Sequence, residues 1–94
     1  MRFGVYSMRD KLSGFARPTF EMNDPSAMRN FEMAVLNSDV QSVLHAHPED
    51  FDLYRIAYFD SETGSMISCE IERIASGQQI YLHSLKGADS DGKV

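Results

Sequence analysis

The chain has 94 residues, of which 43% are hydrophobic and 24% charged, and it carries a formal net charge of −5. A single domain of this size buries roughly 60–70% of the surface its unfolded chain exposes, which allows one modest core and makes homodimerisation a common remedy for marginal stability. Cys69 is the only cysteine, which excludes an internal disulfide and a four-cysteine zinc site, and the start Met1-Arg2-Phe3-Gly4-Val5 lacks the apolar core of a signal peptide, so a cytosolic protein is expected.

Residues 2–8 and 15–22 are short runs of aromatic and apolar side chains. They are separated by Arg9-Asp10-Lys11-Leu12-Ser13-Gly14, a pattern that predicts a β-hairpin with a long loop. Pro18 cannot donate to a ladder, so the second strand is expected to be an edge or to bulge there.

Asn23-Asp24-Pro25 announces a helix, with Asp24 expected as the cap and Pro25 at the first helical position. Ala27, Met28, Phe31, Ala34 and Val35 then recur at helical spacing. Asn37 or Ser38 should end the helix. Residues 39–51 read as irregular, with a turn around Pro48-Glu49.

A strand over about 52–59, the turn Asp60-Ser61-Glu62-Thr63-Gly64 and a strand over about 65–72 follow. Gly64 suits the left-handed position of a type I turn with a bulge. Pairing Asp60 with Ser65 sets Tyr58 opposite Ile67, Ile56 opposite Cys69 and Tyr54 opposite Ile71. Arg55 then lies opposite Glu70, and Ala57 opposite Ser68. That register makes one apolar face for the helix to cover.

The segment 73–86 contains Gly77 as a breaker, and Ile80, Tyr81, Leu82 and Leu85 must bury in a short strand or against a partner. Residues 87–94 are polar and read as a disordered tail. The expected fold is α+β: a small antiparallel sheet in the order β-β-α-β-β with one helix packed on a face. The domain covers 1–86 and the tail 87–94.

The run Phe3-Gly4-Val5-Tyr6-Ser7-Met8-Arg9-Asp10 looks like the opening strand of the small non-structural proteins of gokushoviruses, tailless single-stranded DNA phages of the Microviridae. The longer run from His47-Pro48-Glu49-Asp50-Phe51 through Phe59-Asp60 to Thr63-Gly64 resembles that family's HPEDF…L…FD…TG segment. Pro18-Thr19-Phe20 and the helix also fit, so the resemblance spans roughly residues 3–82. It implies a non-enzymatic viral protein in the host bacterial cytoplasm that binds DNA and assists genome replication. The shared words are largely turn chemistry and mark family membership more strongly than a binding site.

For such a role the basic-aromatic hairpin is the candidate: Arg2, Tyr6, Arg9, Lys11, Arg17 and Phe20, with Arg29 on the helix. Residues 1–31 carry five basic against three acidic side chains, whereas 32–94 carry four against eleven. Cations that track phosphates and aromatic faces that stack bases are the two ingredients of single-stranded DNA binding. The competing reading makes Tyr6 and Phe20 core fillers and the cations a solvated surface, and it is the stronger one for the aromatics. Tyr54 and Tyr58 as a stacking platform give way to burial under the helix.

His45 and His47 beside Glu49 and Asp50 hint at a metal but fall short of a structural ligand set, so no metal or cofactor is expected. Cys69 lies on the inferred apolar face, and no phosphate loop, GxSxG or paired-carboxylate signature occurs, so no enzymatic activity is expected. The expected partner is single-stranded DNA, bound by a homodimer that stays off membranes. The rival reading is a module that docks on a phage or host replication protein without touching DNA.

Overall fold

The structure is a computed structural model that describes residues 1–39 and 41–92, with side chains described through Leu85. It is an α+β domain built on an open antiparallel sheet. The elements run β1 (Arg2–Asp10), β2 (Gly14–Phe15), β3 (Thr19–Glu21), α1 (Asp24–Leu36), α2 (Val43–Ala46), a 3₁₀ turn (Pro48–Asp50), β4 (Phe51–Asp60), β5 (Ser65–Ser76) and α3 (Gly77–Gly92). The sheet order is β2-β1-β4-β5, with β3 also paired to β1.

The first hairpin forms as its turn chemistry dictates. Asp10 Oδ1 accepts from the Leu12 N–H at 3.0 Å, Asp10 Oδ2 accepts from the Ser13 hydroxyl at 3.0 Å, and Gly14 takes a φ of +93°. Such local carboxylate bonds and a left-handed glycine are what a tight reversal requires. Past Phe15 the ladder stops and resumes at Thr19. The single strand expected over 15–22 is therefore two short ones at the sheet edge, and Pro18, with no N–H to give, stands in the interruption.

Helix α1 starts one residue earlier in its capping than the sequence suggests. Asn23, not Asp24, is the cap: its side chain accepts from the Ser26 N–H at 2.9 Å, and Pro25 occupies the second helical position. Asp24 is drawn away because its carboxylate meets Tyr6 and Arg55 instead. The end at Asn37 is as expected. Ala27, Phe31 and Val35 bury against Tyr6, Phe51 and Leu53, and this cluster is the core. Met28 and Ala34, counted in the apolar stripe, remain exposed.

The distal half of the β4–β5 register is as predicted: Asp60 pairs with Ser65, Tyr58 with Ile67 and Ala57 with Ser68. The proximal half is not. Arg55 pairs with Glu72 rather than Glu70, and Tyr54 with Arg73 rather than Ile71. Ile56 is an extra residue against β1, where Val5 pairs with Ala57 but Tyr6 with Arg55. A bulge of this kind lets residues of opposite parity, such as Tyr54 and Ala57, share a face. It keeps Arg55 on the helix side, where Asp24 and Glu72 both reach it.

The chain from 73 onward is also different from expectation. β5 continues to Ser76, and Gly77–Gly92 is a helix, not a strand. Ile80 packs on the core from α3. Gly77 is more than a breaker: a Cβ there would lie 2.1 Å from the Pro48 carbonyl oxygen and 2.5 Å from that of Phe51. Only a residue without a side chain allows this corner. The tail expected over 87–94 falls on residues whose side chains lie outside the described ones.

Candidate nucleic-acid interface

Along β1 successive side chains alternate between the two faces of the sheet, and cross-strand partners share a face. Tyr6, Met8, Phe51 and Leu53 point to the side covered by α1 and α3. The opposite set starts with Phe3, Val5, Ser7 and Arg9 on β1 and continues through their partners Phe59, Ala57, Tyr54, Phe20 and Phe15. Among the described residues no helix covers this second face.

Five of the ten aromatic side chains therefore stand on an open sheet surface: Phe3, Phe15, Phe20, Tyr54 and Phe59. They pack edge to face in pairs, Phe15 with Tyr54 at 5.5 Å between centroids and Phe20 with Phe59 at 5.4 Å. This roof seals the smaller Val5 and Ser7, both fully buried. Phe15 and Phe20 nevertheless remain 48% and 52% exposed. Rings clustered on one uncovered face in this way make it the candidate interaction surface.

Cations border it at one end. Arg9 lies on the open face with its guanidinium 5.7 Å from the Phe15 ring centroid. Lys11 sits in the adjoining turn, where its backbone N–H donates to the Asp50 carbonyl at 2.9 Å, and Arg17 follows β2; both side chains are exposed. None of the three forms an ion pair among the described residues. Arg73, opposite Tyr54, adds a fourth cation, partly engaged by Asp52 at 3.7 Å.

The other residues singled out in the sequence go elsewhere. Tyr6 is buried on the helix side and its hydroxyl donates to Asp24 Oδ1 at 2.6 Å, so its ring offers nothing to a base. Arg2 lies on that side too, 4.2 Å over the Tyr58 ring. Arg29 is exposed on α1. Tyr54 and Tyr58, expected to share a buried face, are parted by the Ile56 bulge: Tyr54 joins the open face and Tyr58 lies under Arg2 and Arg55. Sequence reasoning missed Phe3, Phe15, Phe59 and Arg73. The alternation Phe3, Val5, Ser7, Arg9 carried a signal for the first of these, but the bulges hid the rest.

Burial and the Asp24 carboxylate together push the Tyr6 phenol well above its usual range. Burial works against the charge of Arg55, but Asp24, aided by Glu72 at 2.7 Å, holds its ionisation above the ordinary value. These groups are structural and stand apart from the open face. His47, Glu49 and Asp50 bring three ligand atoms within 4.8 Å of one another, and none of the three residues is buried. His45, expected with them, is not in the group.

A family model described as Phage ORF5 protein matches residues 3–80. The chain belongs to the phage ORF5 family. Protein ORF5 of Chlamydia phage 1, a gokushovirus of the Microviridae, is 36% identical over 61 residues, 63% of this chain and 64% of that relative. The aligned part thus spans a little under two thirds of the relative's length. No solved structure matches. The family resemblance of the opening strand and of the His47–Gly64 segment is thereby upheld, and the chain is a phage protein. No helix in its described residues is long and apolar enough to cross a membrane.

Proposed function

We propose that this protein binds single-stranded DNA non-specifically and assists genome replication in the host cytoplasm. The observation that carries the reading is the helix-free sheet face with its five aromatic rings, bordered by Arg9, Lys11 and Arg17 without carboxylate partners. Base–aromatic stacking is worth about 1–3 kcal/mol per base and tolerates any sequence. Phe15 and Phe20 supply the exposed rings, while the three cations meet phosphates and Arg73 extends the track. A net charge of −5 disfavours a polyanion at long range, so binding is expected to be weak and confined to this edge.

Fluorescence anisotropy of a labelled oligonucleotide at low ionic strength tests this. Salt-sensitive binding that is lost in Phe15→Ala/Phe20→Ala supports it. Absence of any salt-sensitive association with the folded wild type would sink it.

A second reading is favoured by the opposite side of the molecule. Between α1 and α3 runs a groove of ≈ 460 Å³ lined by Met28, Leu36, Ile74, Ile80 and His83, and Tyr81, Leu82 and Leu85 are exposed on α3. Apolar anchors at helical spacing suit docking on another protein, a second ORF5 chain or a replication protein. Light scattering of the wild type and Leu82→Glu/Leu85→Glu distinguishes a dimer from a monomer. Pull-downs with the same variant test the replication partner.

A further inference from the structure

The broken edge of the sheet opens on a feature that the aromatic face does not use. Between β1 and α1, beneath the strap of residues 16–18, lies a cleft of ≈ 220 Å³. Its walls are Met8, Ala27, Phe31 and Leu53, and Arg17 and Glu21 stand among its lining residues. An apolar cavity of about 150 Å³ holds a benzene molecule, whereas drug-sized ligands take about 300 Å³ or more. The space therefore suits one six-membered ring.

Glu21, Asn30 and Thr19 supply the polar side of the cleft, with Arg17 beside them. Asn30 Nδ2 donates to Glu21 Oε1 at 3.0 Å, which orients both groups. Glu21 Oε2 and Asn30 Oδ1 accept no side-chain hydrogen bond among the described residues. Glu21 lines the cleft as a group that can only accept, so a guest that reaches it gains by presenting N–H donors on its edge. Cytosine does so through its exocyclic amine, and a carboxylate accepting from that amine is a recognised base contact. Thymine presents a carbonyl at the same place and would be repelled. The exposed Arg17 guanidinium can meet a phosphate attached to the guest.

The geometry points to this cleft as a pocket for one unstacked cytosine of a strand that crosses the Ala16–Pro18 edge. Met8 and Phe31 enclose the ring, Glu21 reads the amine and Arg17 holds the phosphate. The inference rests on the single-stranded DNA reading but adds a base preference to it. Extruding a base costs least when the strand is already unpaired.

The test uses the full ¹⁵N-labelled chain titrated with deoxycytidine and thymidine monophosphates, alongside anisotropy with oligo-dC and oligo-dT. Amide shifts confined to Ala16, Arg17, Glu21 and Asn30, with roughly tenfold tighter binding of the cytidine nucleotide, are expected. Glu21→Gln should level the preference while leaving the remaining spectrum in place, and Asn30→Ala should weaken it. Equal binding of oligo-dC and oligo-dT that depends on Phe15 and Phe20, with no cleft shifts, overturns the pocket and leaves the strand-binding reading standing. Cleft shifts with the cytidine nucleotide but no oligonucleotide binding keep the pocket and discard that reading. Silence in both discards both.

Discussion

Arg55 Nη1 donates to Asp24 Oδ2 at 2.6 Å, joining the middle of β4 to the first turn of α1 across thirty-one positions of chain. The same carboxylate accepts from the Tyr6 hydroxyl, so one side chain ties two strands to the helix. Arg55 is largely buried while Asp24 is partly open to solvent.

Asp24→Ala strands two donors that have no other acceptor in place. Leaving buried groups unpaired costs about 1–3 kcal/mol, and solvent access at Asp24 keeps the loss within that range. Urea unfolding should show a lower midpoint with little change in slope. Asp24→Asn, which retains an acceptor for Tyr6, should lose less.

The raised Tyr6 phenol has a signed consequence for alkaline stability. In the unfolded chain a tyrosine ionises near pH 10, whereas the native residue keeps its proton to higher pH. The stabilisation is complete below pH ~10 and is lost as pH rises beyond it. Unfolding midpoints between neutrality and strong alkali should fall steeply for the wild type and less steeply for Tyr6→Phe.

Gly77→Ala places a methyl group against the Pro48 and Phe51 carbonyls, and no flexible side chain stands there to move aside. Overpacking of this kind costs about 1–3 kcal/mol. A lowered thermal midpoint, with α3 detaching from the 3₁₀ turn in hydrogen exchange, is the expected result.

Charge removal on the open-face side should change the salt dependence of DNA binding in steps. Each phosphate contact contributes roughly 0.7 to the slope of log K against log salt for a single strand. Arg17→Ala and Arg9→Ala should each lower the slope by about that amount, whereas Arg29→Ala, on α1, should leave it unchanged.

Local chemistry was legible in the sequence wherever it acts over a few residues. The edge position of Pro18, the Gly64 turn with its φ of +76°, the helix end at Asn37 and the Asp60–Ser65 register all follow from short-range sterics and hydrogen bonding. What escaped depends on distant partners. Asp24 looked like a cap because nothing nearby in the chain announces Tyr6 or Arg55. Gly77 looked like punctuation because the carbonyls it must clear lie in the Pro48–Phe51 segment. The candidate interface was half visible: the cations Arg9, Lys11 and Arg17 and the ring of Phe20 were found. Tyr6 was miscast, and the aromatics contributed by β4 could be assigned a side only after the bulge was located.

Ile56 is the position where odd and even exchange meaning along β4. Drawing Ile56 into the ladder as an ordinary paired residue would turn the far end of the strand over, presenting Tyr58 to the bare surface and tucking Phe59 beneath the helices. A chain that closed the bulge in this way could keep every hydrophobic residue it now has and still lose the ring that Phe20 leans on.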